Sequence, residues 1–164
     1  MRMRAAPTLR RSAPTIRELL SYRLHQVANL LSRGAELRYR REFGVSLWEW
    51  RTVALLGGAG EPQSLNDLAR AAGMDKGQMS RVVSGLTGRK IVFRQADASD
   101  ARGIRLSLTV AGRRLYRKLI NAAAERNNAF LGCLSVQERQ CLEQAMTKLA
   151  REARGFIVKE KLHK

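Results

Sequence analysis

Negative charge is what the 164-residue chain has least of: 14 Asp and Glu stand against 31 Lys and Arg, a formal charge of +17. Such an excess repels itself unless a polyanion is bound, and nucleic acid is the polyanion a basic domain most often meets. An enzyme for a neutral substrate would gain nothing from it. Cysteine is scarce too. Cys133 and Cys141 cannot staple a domain of this size, and their spacing is not the C-x-x-C of a zinc or thioredoxin site. Reduced intracellular thiols, packed rather than reactive, are expected. The two histidines, His25 and His163, lie outside any H-E-x-x-H, no G-x-S-x-G elbow occurs, and the cluster Gly57 to Gly60 lacks the Lys and Ser/Thr of a phosphate loop. No catalytic residue, metal ligand or cofactor is therefore assigned. Long apolar runs are missing as well: none approaches the ~18 residues needed to cross a bilayer. The basic start at Met1 leads into Ala5, Ala6 and Pro7 rather than the apolar core of an export signal. The arginines are spread along the chain instead of lining one helix face, which argues against a membrane partner. A cytoplasmic protein is expected.

What is there is a body able to bury a core, with 45% hydrophobic residues. The Arg-rich, acid-free stretch 1–15 could imitate a transit peptide, but a flexible basic arm is the simpler account. Leu20, Leu24, Val27, Leu31 and Ala35 recur at helical steps and predict a long helix ending near Phe43, before Gly44. Ser46 offers an N-cap for a second helix with Leu47, Trp50, Val53 and Ala54 inward, closed by Gly57, Gly58, Gly60 and Pro62. Ser64 to Gly73 is a short amphipathic helix, capped by Ser64 or Asn66. Asp75 caps the next, whose apolar positions are Met79, Val82, Val83 and Leu86. Two short helices across a tight Gly-containing turn make a helix-turn-helix.

From Ile91 the period changes. Ile91 and Phe93 precede a polar stretch, Gln95 to Gly103, after which Ile104, Leu106 and Leu108 alternate with Arg105 and Ser107. That predicts a hairpin with a charged tip bearing Asp97, Asp100, Arg102 and Arg105, and with Arg94 on its first strand. Thr109 caps a helix to about Leu131, and Ser135 caps a last one with Leu142, Ala145, Met146, Leu149 and Phe156 inward. The fold class is mainly α with a small β-hairpin wing.

Opposite the apolar stripe of the second short helix stand Gly77, Arg81, Ser84 and Gly88, flanked by Gln78 and Ser80. Glycine costs up to ~1 kcal/mol against Ala inside a helix, so Gly77 and Gly85 suggest close approach by a partner. A duplex groove fits. Arg reads guanine and Gln reads adenine by paired hydrogen bonds, and Lys76 near the helix start suits a phosphate. An Arg on a thin loop enters an adjacent minor groove, and Asp100 makes sense if it holds a neighbouring Arg bidentately. The alternative is a basic architectural or RNA-binding protein that uses charge without reading sequence.

Three features resemble the MarR family of bacterial transcription regulators. Leu65 to Gly73 is similar to its Leu-Ala helix, and Met79 to Leu86 to its recognition helix. The run from Asp100 through Arg102 to Leu108 and Thr109 is similar to its wing signature. The resemblance covers roughly Ile16 to Lys161. The basic arm before Pro14 and the tail from Lys159 exceed the family's usual boundaries. After the flexible arm (1–15), the resemblance implies an N-terminal dimerisation helix (16–45), a winged helix-turn-helix that binds double-stranded DNA (46–110), and C-terminal dimerisation helices, here with a tail (111–164). Lys76, Gln78, Ser80, Arg81, Ser84, Arg94, Asp100, Arg102 and Arg105 would then meet DNA, with Arg102 in the minor groove. The chain would act as a homodimeric repressor on a near-palindrome with half-sites ~10 bp apart. The apolar length from Leu142 to Phe156 independently calls for a second subunit, since one small chain offers it too little partner surface. The resemblance also implies an anionic or aromatic effector, an aromatic carboxylate or an aryl-CoA thioester. Tyr22, His25, Arg38, Arg40, Trp48 and Arg51 are the expected lining, though Trp48 is equally compatible with an ordinary packing role.

Overall fold

A computed structural model describes residues 13–97 and 100–162; the side chains of 97 and 100–102 lie outside that description, as does most of the expected basic arm. After a 3-10 turn at Ile16–Glu18 come α1 (Leu20–Phe43), α2 (Leu47–Gly58), β1 (Gln63–Ser64), α3 (Leu65–Ala72) and α4 (Lys76–Gly88). Then follow β2 (Val92–Asp97), β3 (Asp100–Leu108), α5 (Val110–Gly132) and α6 (Val136–Leu162). The protein is mainly α with a winged helix-turn-helix. It divides into two compact units between Gly112 and Arg113.

Helix starts follow local hydrogen bonding. Ser46 accepts the Glu49 N–H at 3.2 Å while the Glu49 carboxylate accepts the Ser46 N–H at 2.7 Å, so two orphan donors are satisfied together. Ser64, rather than Asn66, caps α3, accepting the Asp67 N–H at 3.1 Å. Asp75 caps α4 through the Gln78 N–H at 2.8 Å. Thr109 caps α5 through the Gly112 N–H at 3.0 Å, and Ser135 caps α6. Between α3 and α4 the chain reverses at Gly73, whose φ of 67° is a left-handed value that a side chain would strain.

The first unit closes around Val53, Leu68, Met79, Val83, Leu86, Val92, Leu106 and Leu108, each at most 2% exposed. Burial of side chains this size stabilises by about 1.5–3 kcal/mol apiece before chain entropy is subtracted. Thr52 is buried among them although it is polar. Its hydroxyl donates to the Trp48 carbonyl at 2.8 Å and reaches the Met79 sulfur at 3.6 Å.

The sheet is antiparallel, in the order β1-β3-β2. Its third strand, β1, pairs Gln63 with Leu106 and Ser64 with Arg105, and was not expected because two residues carry no periodicity. The hairpin also differs from expectation. Pairing runs from Val92 opposite Leu108 to Asp97 opposite Asp100, so the polar stretch Gln95 to Gly103 is mostly strand rather than loop, with residues 98–99 outside the described residues. Apolar alternation reports strands with one buried face. Beyond Arg94 the ladder forms with little apolar material to bury, and the alternation signal fades.

A further departure concerns the long helices. In α1 only Ala35 and Tyr39 are buried; Leu20, Leu24, Val27 and Leu31 are 39–56% exposed. In α6, Leu142, Met146, Leu149 and Phe156 are 37–58% exposed, and the helix has no buried residue among those described. These apolar positions are therefore not inward within one chain. α5 does bury Leu119 and Ala122.

Candidate nucleic-acid interface

α4 is held to the core by one face, with Met79, Val83 and Leu86 fully buried. The other face carries Lys76, Gly77, Gln78, Arg81, Ser84, Gly85 and Gly88, all exposed, while Ser80 sits half-buried at its edge. No atom lies within 4 Å of where a Cβ on Gly85 would stand, so the chain itself does not demand glycine there. At Gly77 the nearest atom to such a Cβ is the Asp75 carboxylate oxygen at 3.2 Å. The face is polar, low in relief and open to a partner.

Two contacts tie the C-terminal half of α4 to its neighbours. At its C-terminal end Arg89 donates to the Glu49 carboxylate of α2 at 3.0 Å. At Ser84 the Arg94 guanidinium of β2 donates to the hydroxyl at 3.0 Å, so a wing cation lies against the helix face. The sequence located both residues but not their contact, because it supplies no distance between α4 and β2. Arg105 needs correction: it sits half-buried on β3, paired with Ser64 and Gln95, well away from the hairpin tip. The position is a consequence of the longer ladder. Asp100 and Arg102 are the first and third residues of β3, and their side chains, including any mutual contact, lie outside the described residues.

The six residues expected to line an effector site do not converge. Arg51 stacks over the Trp48 ring, 4.8 Å from its centroid, and donates to Ser32 of α1 at 3.3 Å. Arg38 instead pairs with Glu42 at 2.9 Å, and Arg40 with Glu36. His25 is exposed and bonded to Asn29 at 2.9 Å, and Tyr22 is half-buried. A shallow groove of about 350 Å³ lies between α2 and α3, lined by Trp50, Arg51, Ala54, Leu55, Ala71 and Ala72. Of the expected set only Arg51 reaches it; the small apolar residues carry no chemical signal that would mark them in advance.

Glu36 has a double attachment at the α1–α2 joint, accepting from Arg40 and from the Leu47 N–H. Partial burial pushes its carboxyl up, but the Arg40 and Leu47 hydrogen bonds and the Arg40 charge outweigh it and hold the group below the ordinary glutamate value. Both cysteines are exposed, against the expectation of packing, because Cys141 rides on a helix that buries nothing in one chain. Cys133 donates to the Phe130 carbonyl at 3.0 Å. Among the described residues no helix is long and apolar enough to cross a membrane, and no three His, Cys, Asp or Glu gather as a metal set.

Comparison with known proteins agrees with this geometry. The MarR family model matches residues 43–103, the span from the end of α1 into the first half of β3. A MarR/EmrR family transcriptional regulator from Acinetobacter sp. ADP1 is similar at 25% identity with a TM-score of 0.78, over 87% of this chain and 99% of that one. A probable transcriptional regulator from Pseudomonas aeruginosa is 27% identical with a TM-score of 0.70, over 82% and 99%. The MepR–DNA complex of S. aureus shares the fold at 22% identity, with a TM-score of 0.72 over 82% and 98%.

Proposed function

Because the chain belongs to the MarR family of winged-helix transcription regulators, we propose that it binds duplex DNA as a homodimer and releases it on binding a small anionic or aromatic effector. The observation that carries the DNA reading is the outward face of α4. Gln78, Arg81 and Ser84 stand exposed among glycines on a helix whose other side is locked into the core. In this reading Gln78, Ser80, Arg81 and Ser84 face the major groove and Lys76 meets a phosphate at the helix start. Arg94 and Arg105 steady the flank, and Arg102, held by Asp100, enters the minor groove. That S. aureus MepR, which shares the fold, has been solved in complex with DNA supports the choice of DNA as partner.

The exposed apolar stripes of α1 and α6 support pairing of two chains, which would present two copies of α4 to half-sites about one helical turn apart. Of the residues expected for the effector, Arg51, which stacks on Trp48 and lines the α2–α3 groove, is proposed to contact it; Tyr22, His25, Arg38 and Arg40 do not reach that groove. Binding there would favour a separation of recognition helices that no longer fits the operator, so the bound state represses. Competition binding tests the whole: genomic fragments are bound in the presence of scrambled duplex, then challenged with aromatic acids and their CoA thioesters. A specific-to-nonspecific ratio of ~10³ or more is expected. Equal binding to every duplex identifies a charge-only architectural protein instead.

A further inference from the structure

The first turns of α5 carry Arg113, Arg114, Arg117 and Lys118, all exposed; Arg113 and Arg117 lie opposite the buried Leu119 and Ala122, and Arg114 and Lys118 flank them. Helical spacing places Arg113 over Arg117 and Arg114 over Lys118, two like-charge pairs that each weaken the helix. The cations also stand near the N-terminal end, where the helix dipole disfavours positive charge. Nothing local offsets this. From Val110 to Ala124 there is no Asp or Glu, and among the described residues no carboxylate pairs with any of the four. Asn121 continues the face with another polar side chain.

We infer that this ridge binds the phosphate backbone of duplex DNA as a second surface, separate from the contact made by α4 and the wing tip. The inference rests on the reading of the chain as a duplex-binding protein. An arrangement that costs the free helix stability is recovered when a polyanion neutralises it and condensed counterions are released. An acidic protein partner would need an apolar anchor amid the charges, and the ridge offers only the isolated Val110 and Ile120 at its two ends; a DNA backbone needs charge alone. The surface is remote from the wing tip along the chain. β3 runs nine residues from Asp100 to Leu108 before α5 begins. That sets the foot of the hairpin roughly 25 Å from its tip. The phosphates could belong to the flank of the duplex already bound or to a second duplex.

The test compares the full chain with a variant bearing Arg113→Gln, Arg114→Gln, Arg117→Gln and Lys118→Gln. Each is titrated, across salt, with the shortest duplex the unaltered chain still binds and with the same duplex extended by further helical turns. The variant should match the unaltered chain on the short duplex within about twofold and lose the gain that flanks provide, with a salt slope lower by about 0.9 for each cation engaged. Its thermal midpoint should be equal or higher, since the like-charge pairs are gone. If the gain grows with flank length, the flank supplies the phosphates. If instead the unaltered chain, and not the variant, joins two labelled duplexes, a second duplex does. Equal behaviour of both chains on every duplex overturns the inference, as does a folded variant that fails on the short duplex, because the ridge would then belong to the primary contact. Failure of the unaltered chain on any duplex overturns the DNA reading itself.

Discussion

Ser84 on α4 and Arg94 on β2 are joined by a 3.0 Å hydrogen bond in which the guanidinium donates to the hydroxyl, so a wing cation is oriented by the helix that faces the partner. Removing the hydroxyl frees Arg94 to sample other rotamers. Ser84→Ala should weaken DNA binding about 3- to 10-fold and Arg94→Ala about 10-fold, in line with a charge-assisted bond at an exposed site. The double variant should fall no further than Arg94→Ala alone, a non-additivity that fluorescence anisotropy would record. Additive losses would show that the two residues act separately.

Arg81 and Arg102 should fail differently. Arg81→Ala is expected to weaken binding by about 1–3 kcal/mol and to relax base preference at one or two positions per half-site. Arg102→Ala should weaken it chiefly where the flank is A/T-rich, because a narrow minor groove concentrates negative potential. Selection from a randomised duplex pool, read for each variant, distinguishes the two; equal losses on every sequence would refute these roles.

The helix-turn-helix was plain in the sequence because each of its signals is local. Asp75, Gly73 and the Met79, Val83, Leu86 stripe report cap, turn and buried face within a few residues of one another. The two-residue β1 and the true length of the wing were hidden, since backbone ladders between polar strands leave no apolar period. The Arg94–Ser84 and Arg89–Glu49 contacts were hidden for another reason: both depend on how elements pack, and composition carries no such distance. In α1, Arg38 and Arg40 have carboxylate partners one turn away in Glu42 and Glu36, and composition alone does not distinguish a paired arginine from one presented to a ligand.

Glu36 makes stability depend on acidity. Its carboxyl titrates below the ordinary value of 4.5 when folded, so its contribution is complete above that value and is lost as pH falls toward the lowered folded one. Chemical denaturation from about pH 7 to about pH 3 should therefore show a steeper acid loss for the unaltered chain than for Glu36→Gln. At neutral pH the variant should be less stable by about 1 kcal/mol, below the ~1.5–3 kcal/mol of a hydrogen bond to a charged acceptor because Gln keeps an acceptor oxygen and the site is partly exposed to solvent. Parallel acid limbs would assign the tie no such role.

Leu149 is 37% exposed on α6, midway along its apolar stripe. Leu149→Glu should convert a dimer to monomers in sedimentation velocity and abolish cooperative operator binding. The buried charge would cost several kcal/mol in a closed interface and almost nothing on a free surface. A variant that sediments unchanged would place the subunit contact elsewhere.

Gly112 bears on the foot of the wing. A Cβ there would stand 2.2 Å from the Ile91 carbonyl oxygen, which is backbone and cannot swing aside. Gly112→Ala is expected to cost about 1–3 kcal/mol or more through overpacking, measured as a fall in unfolding midpoint. An unchanged midpoint would mean that the two segments can part cheaply.

Thr109 reinforces the same spot, its amide donating to the Ile91 carbonyl at 3.0 Å and its hydroxyl to that of Lys90 at 2.7 Å. With no room for a side chain at Gly112, the segment Thr109–Gly112 is keyed to the Lys90 and Ile91 carbonyls at the base of the hairpin, so a change that displaces either carbonyl should fray the strand end and the helix start together.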